Sequence, residues 1–175
     1  MKKGEKEIKT GVIILAAGSS SRLGQPKQLL EFNGKTLLEI AVEAAQNSQA
    51  QSCVLVLGAN ADLIVEKIDH TKVDRVVNEN WEKGMASSMQ KGLKYLMENS
   101  DPDQVILMLS DQPFVDSKIL NLLIENKLNT HSNIIACSYN GTFGVPVLFT
   151  KKYFPELLSL TRNEGAKKLV IVHQN

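Results

Sequence analysis

With 175 residues, 43% of them hydrophobic, the chain has the material for one domain with a substantial core. Its 20 lysines and arginines nearly balance 19 aspartates and glutamates, and a net charge of +1 argues against a broadly electrostatic nucleic-acid binder. Cys53 and Cys137 sit in separate apolar runs without metal-ligand spacing and read as buried free thiols; the charged opening MKKGEKEIK precedes an apolar run too short for a signal peptide or membrane span. A cytoplasmic protein without a membrane partner is expected.

In chain order, the apolar run at 11–15 is continuous rather than alternating, which predicts a strand buried on both faces. The stretch LAAGSSSRLGQPK, 15–27, follows it with two glycines, three serines, Arg22 and Lys27. Small residues let backbone N–H groups converge on an anion, Gly18 and Gly24 permit angles others resist, and the two cations add charge. A polyphosphate is the natural guest, although the same composition also suits a polar strand-to-helix connection with two surface cations.

Further strands are predicted at 53–57, 75–77, 105–109 and 133–138, alternating with helices at 36–46, 61–68, 85–97 and 117–127, with Thr36 and Ser117 as N-caps. This alternation predicts an α/β fold, a Rossmann-like three-layer sandwich with a mostly parallel central sheet. In such a sheet ligands bind beyond the carboxyl ends of the strands. Three more segments hold those places.

Gly58, after the second strand, lets a flat base approach the backbone or simply makes a turn. After the third, Asn78 and Ser88 offer hydrogen bonds to a ribose or base, and Gly84 opens a helix whose N–H groups favour a negative ligand. By the plainer alternative, Gly84 to Ser88 only start a helix, Met85 fills core and Trp81 covers a loop. After the fourth, Asp111 in Ser110-Asp111-Gln112-Pro113 is a ligand for a hard divalent cation or a cap of the turn before Pro113. A turn and a short strand are read at 144–149, Pro being tolerated at a strand's start. His70, His131 and His173 form no ligand pair, and no GxSxG elbow is present, so covalent catalysis is not indicated.

Residues 15–27 match L-A-A-G-x-S-x-R-x-G-x-x-K at every fixed position, and in this the chain resembles the molybdenum cofactor cytidylyltransferases of the nucleotidyltransferase superfamily. Three further family elements match: N-x-x-x-x-x-G-M-x-x-S at Asn78, Gly84, Met85 and Ser88, D-Q-P at Asp111, Gln112 and Pro113, and G-x-P-x-x-F at Gly144, Pro146 and Phe149. The segment 162–167 resembles G-D-x-G-A-[RK], with Gly165, Ala166 and Lys167 in place but Arg162 and Asn163 where glycine and aspartate are usual. The family's D-[IV]-D-T-x-E-D-type segment, which holds a second metal carboxylate, is not found; the expectation is one domain over 1–175 apparently lacking that end.

The resemblance implies a GT-A-like nucleotidyltransferase that joins a nucleoside monophosphate to an acceptor phosphate and releases pyrophosphate. It implies nucleotide contacts at Leu15, Ala16, Ala17, Gly18, Ser19, Arg22, Lys27, Gly58, Asn78, Gly84, Met85 and Ser88. Arg22 would meet the β/γ phosphates, Lys27 the transferred group, and Asp111 a Mg²⁺ ion. An acceptor side is implied at Gln112, Pro113, Gly144, Pro146 and Lys167. Ala17, where guanylyl relatives carry glycine, implies CTP, and the acceptor implied is molybdenum-bearing molybdopterin, with a molybdoenzyme or maturation partner downstream. Pro26-Lys27-Gln28 also resembles the methylerythritol phosphate cytidylyltransferases, which makes a polyol phosphate the rival acceptor. A non-catalytic nucleotide- or cofactor-binding protein is the rival from another class.

Overall fold

Strand β1 (Thr10–Ala16) is buried at every position and runs through the middle of the molecule, as its continuous apolar sequence predicts. The computed structural model describes residues 7–20, 24–68, 71–162 and 164–173. Strands β4 (Ser52–Leu57) and β6 (Gln104–Leu109) pair with β1 on either side, both parallel, and β5 (Asp74–Val77) pairs parallel with β4. A minor hairpin, β2 (Glu31–Phe32) with β3 (Lys35–Thr36), lies outside this sheet.

Alternate side chains of β1 feed two cores. Val12, Ile14 and Ala16 meet α1 (Leu37–Gln46), α2 (Ala61–Ile68) and α4 (Ser117–Asn129) on one face. Ile13 and Leu15 meet α3 (Met85–Asn99), α5 (Phe154–Ser159) and α6 (Ala166–Val172) on the other. The result is a three-layer sandwich. Helix α3 lies close on the sheet because Gly92 has no side chain: a Cβ there would stand 2.6 Å from Ile13 Cγ2 and 2.8 Å from Val56 Cγ2.

Thr36 caps α1 through a reciprocal capping box, its Oγ1 accepting from Glu39 N at 3.1 Å while Glu39 Oε2 accepts from Thr36 N at 2.8 Å. The cap of α4 is one residue earlier than Ser117. Asp116 accepts from Ile119 N at 3.0 Å, a carboxylate being a strong acceptor for the free N–H groups of a helix start, and Ser117 becomes the first helical residue.

The sheet is completed by an antiparallel edge. The short strand read at 144–149 is the nine-residue β8 (Thr142–Thr150), antiparallel both to β6 and to β7 (Ile134–Tyr139), giving the order β5-β4-β1-β6-β8-β7. Asn140 and Gly141, both at positive φ (48° and 77°), make the tight turn between β7 and β8, as Asn-Gly does in hairpins. Pro146, joined to Val145 by a cis peptide, stands where the β7–β8 register shifts, a place in a strand that spares Pro a ladder bond.

Candidate nucleotide site

The segment leaving β1 turns three successive carbonyls into the protein. Gln28 Nε2 donates to the carbonyls of Ala16 (2.9 Å) and Gly18 (3.1 Å), and Ala59 N donates to that of Ala17 (3.1 Å). In a trans peptide the N–H points opposite to the C=O, so the N–H groups of Ala17, Gly18 and Ser19 each point away from the partner of the carbonyl on their own peptide. They make no hydrogen bond among the described residues. These residues belong to the run Leu15 to Ser20 that lines a cavity of about 470 Å³. Free backbone N–H groups in a loop of this kind can serve as a cradle for an anion.

Ser20 takes a left-handed conformation (φ 52°), and its Oγ accepts from Lys27 N at 3.0 Å, which closes the loop and brings Lys27 to the cavity rim. Gly24 uses its freedom at φ 68°, whereas Gly18 does not need a positive φ; a Cβ there would meet nothing within 4 Å, so Gly18 keeps the loop's surface open. Arg22 lies outside the described residues.

From the opposite wall come Gly84, Met85 and Ser88 of the α3 start, with Trp81 and Glu82 before them, and from the end of β6 come Leu109, Ser110 and Asp111. Met85 is 46% exposed and faces the cavity instead of filling core. The α3 start is not an open set of donors. Ala86 N donates to the carbonyl of Arg162 (3.1 Å) and Ser87 N to that of Gly84 (3.2 Å), so two of its first N–H groups are already taken.

Asn78 and Gly58 stand behind the lining. The buried Asn78 amide donates to Ser87 Oγ (2.8 Å) and Ser88 Oγ (2.9 Å), and its Oδ1 accepts from Asn80 N (3.1 Å), so its polar atoms hold the α3 start in place. Gly58 lies under Ala17 and Trp81: a Cβ would come within 2.8 Å of Ala17 O and 2.7 Å of Trp81 Cβ.

Gln112, Pro113, Gly144, Pro146 and Lys167 do not line this cavity. Gln112 Nε2 donates to the carbonyl of Val145 at 3.0 Å, which also accepts from Tyr139 Oη at 3.1 Å, and so the D-Q-P loop is tied to the bulge at Pro146. Lys167 Nζ donates to Thr142 Oγ1 at 2.8 Å. These residues gather along the antiparallel edge, beside the cavity and not in it.

Both cysteines are free and half-buried, and burial pushes the Cys53 thiol up to about 12, helped by the Asp74 carboxylate; neither lines the cavity. His70 and Asn163 lie outside the described residues, and His173 pairs with Glu156 at 2.8 Å. Lining residues not picked out from the sequence as site candidates are Ser20, Gln28, Trp81, Glu82, Leu109 and Ser110. Gln28 was legible only as the neighbour of Lys27, since nothing in a glutamine's sequence position reveals which carbonyls it will meet.

Residues 12–175 match the family model of the MobA-like NTP transferase domain, and the chain belongs to that family of nucleotidyltransferases. It is 31% identical to Rv0371c of Mycobacterium tuberculosis H37Rv, whose crystal structure superposes with a TM-score of 0.84 over 98% of this chain and 86% of that one. A manganese complex of Rv0371c is 28% identical, with a TM-score of 0.79 over 95% and 84%. The purine catabolism protein PucB of Bacillus subtilis is 26% identical over 90% of this chain and 78% of its own. Relatives of both base types occur. A 2-C-methyl-D-erythritol 4-phosphate cytidylyltransferase of Thermotoga neapolitana is 31% identical over 74% of this chain and 59% of its own. A probable molybdenum cofactor guanylyltransferase of Bacillus mycoides is 27% identical over 70% and 59%.

Proposed function

We propose that this protein transfers CMP from CTP to the phosphate of a molybdopterin-type acceptor, with release of pyrophosphate. The observation that carries the reading is the cavity in which the free N–H groups of residues 17–19 and the Lys27 side chain share one space with Asp111. Cradle and lysine suit the oxygens of a triphosphate; the carboxylate suits a cation that such an anion brings.

Asp111 is exposed in the cavity, with Glu82 as a second lining carboxylate, and no cluster of three His, Cys, Asp or Glu able to hold a metal occurs among the described residues. That set fits Mg²⁺, which is held by one or two carboxylates together with phosphates and water, better than it fits a metal needing an all-protein cage. Asp111 would hold the ion, whose chemistry is to neutralise the charge of the phosphates. The manganese complex of Rv0371c supports a divalent ion in this family. Loop N–H groups and Lys27 position the α-phosphorus and stabilise the charge that gathers on its oxygens as the acceptor phosphate attacks in line. Arg22 is assigned to the β/γ phosphates by the motif. The cleft wall of Gly84, Met85 and Ser88 is assigned to the nucleoside, with Asn78 and Gly58 supporting it, and the edge around Gln112, Pro113, Gly144, Pro146 and Lys167 to the acceptor. A cytoplasmic place and hand-over to a molybdoenzyme or maturation partner belong to the same proposal. No helix of the described residues is long and apolar enough to cross a membrane.

The choice of CTP rests on Ala17 in the motif. A polyol phosphate is the second acceptor to assay, on the strength of the Thermotoga relative. The test is pyrophosphate release with CTP, GTP or ATP, with and without Mg²⁺ and each acceptor. Release that requires CTP, Mg²⁺ and molybdopterin together is expected; nucleotide binding without release under any pairing would reassign the protein as a binding module.

A further inference from the structure

We infer that Gln28 is a positioning residue that presets the anion cradle of this site. Its side chain is 4% exposed and sits under the loop at the cavity floor. Its amide nitrogen reaches two carbonyls separated by one residue, those of Ala16 and Gly18, at 2.9 and 3.1 Å. The orientation is forced by chemistry. Turned over, the amide would set Oε1 against two carbonyl oxygens, acceptor facing acceptors.

Among the described residues, Gln28 Oε1 is buried without a hydrogen-bond partner. An orphaned buried acceptor is a cost that native folds seldom carry away from functional sites. Here it is accepted so that both N–H donors stay on the loop. With the carbonyls of Ala16 and Gly18 held inward, the N–H groups of Ala17 and Ser19 on the same two peptides face the cavity before any anion arrives. Without the amide, those peptides would be free to rotate and place carbonyl oxygens where phosphate oxygens must sit. Gln28 therefore acts on the triphosphate end of the ligand and leaves the nucleoside end untouched.

This rests on the nucleotide reading above, and the experiment separates the two. The full chain and its Gln28→Met and Gln28→Glu variants are titrated with CTP, cytidine and inorganic pyrophosphate in Mg²⁺, with thermal melts to establish folding. Expected are losses of tenfold or more for CTP and pyrophosphate and less than twofold for cytidine. In Gln28→Glu, part of the loss should be regained towards low pH relative to wild type, because a protonated carboxyl recovers one donor. Equal losses for CTP and cytidine, or no loss in a folded variant, overturn the inference. If Gln28→Met fails to fold, the nearly isosteric Gln28→Glu decides alone, by the CTP-to-cytidine ratio and its pH trend. Wild-type binding of pyrophosphate but not of CTP would overturn the nucleotidyl-transfer reading while Gln28 is judged on pyrophosphate. Binding of neither overturns both.

Discussion

The N–H of Ala86, in the first turn of α3, donates to the carbonyl of Arg162 at 3.1 Å, and Arg162 makes that bond from a left-handed conformation with φ 50°. One wall of the cavity is thereby fastened to the segment that leads into α6. Glycine is usual at this place in the motif, and the positive φ gives the reason.

Arg162→Gly is expected to stabilise the protein by about 1 kcal/mol, since the left-handed penalty of a residue with a Cβ outweighs the extra freedom of glycine in the unfolded chain. Thermal or denaturant melts check this. An unchanged or lower stability would mean that the arginine side chain makes up the difference.

Asp111→Ala is expected to lower pyrophosphate release by about 100-fold or more, in the range seen when one electrostatic partner of a reaction centre is removed. The exposed Asp111 makes no hydrogen bond to the rest of the described fold, so its melting temperature should stay at the wild-type value. Wild-type turnover in this variant would remove Asp111 from the site.

Gly92→Ala improves helix propensity by about 1 kcal/mol, yet it should destabilise the protein by about 1–3 kcal/mol net. The new methyl would be driven against Ile13 and Val56 at 2.6 and 2.8 Å, both β-branched and fully buried, and α3 would be pushed off the sheet. Nucleotide affinity should fall as well, because the cavity wall begins at the same helix. Equilibrium unfolding of the variant decides the sign.

The two thiols give a pH test. Burial raises the Cys53 thiol from 9.0 to about 12, so the folded state prefers the protonated form, and the stability this confers is complete below about pH 9 and is lost as pH rises towards 12. Alkylation at pH 8 should mark Cys137, raised by burial but packed at the sheet's outer strand, well before Cys53. Mass spectrometry of the singly modified protein would show which cysteine reacts first, and early labelling of Cys53 would contradict its packing.

The local pattern of the chain carried most of the parallel half of the fold and the sequence of the loop. Continuous apolar runs named β1, β4 and β6 because burial on both faces leaves no polar alternation, and Thr36 marked the start of α1 as its N-cap. The pieces of the candidate cavity from 15–20, 84–88 and 111 were legible because ligand-facing residues follow the strands in such a sheet.

What needed the tertiary structure was whatever depends on a partner far along the chain. Strand β8 pairs with β6 across about forty residues, so its length and direction came from β6 and β7 and not from its own residues, although Asn140-Gly141 held the local signal for the hairpin. The α3 start read as an anion site until Arg162, 76 residues on from Ala86, was found to occupy one of its donors. Gln28 carries no sequence mark of its role, and the acceptor candidates fell along the antiparallel edge instead of the cavity. Side-chain chemistry is written residue by residue, but which hydrogen-bonding groups are left free for a ligand is settled only when every distant donor and acceptor has been paired.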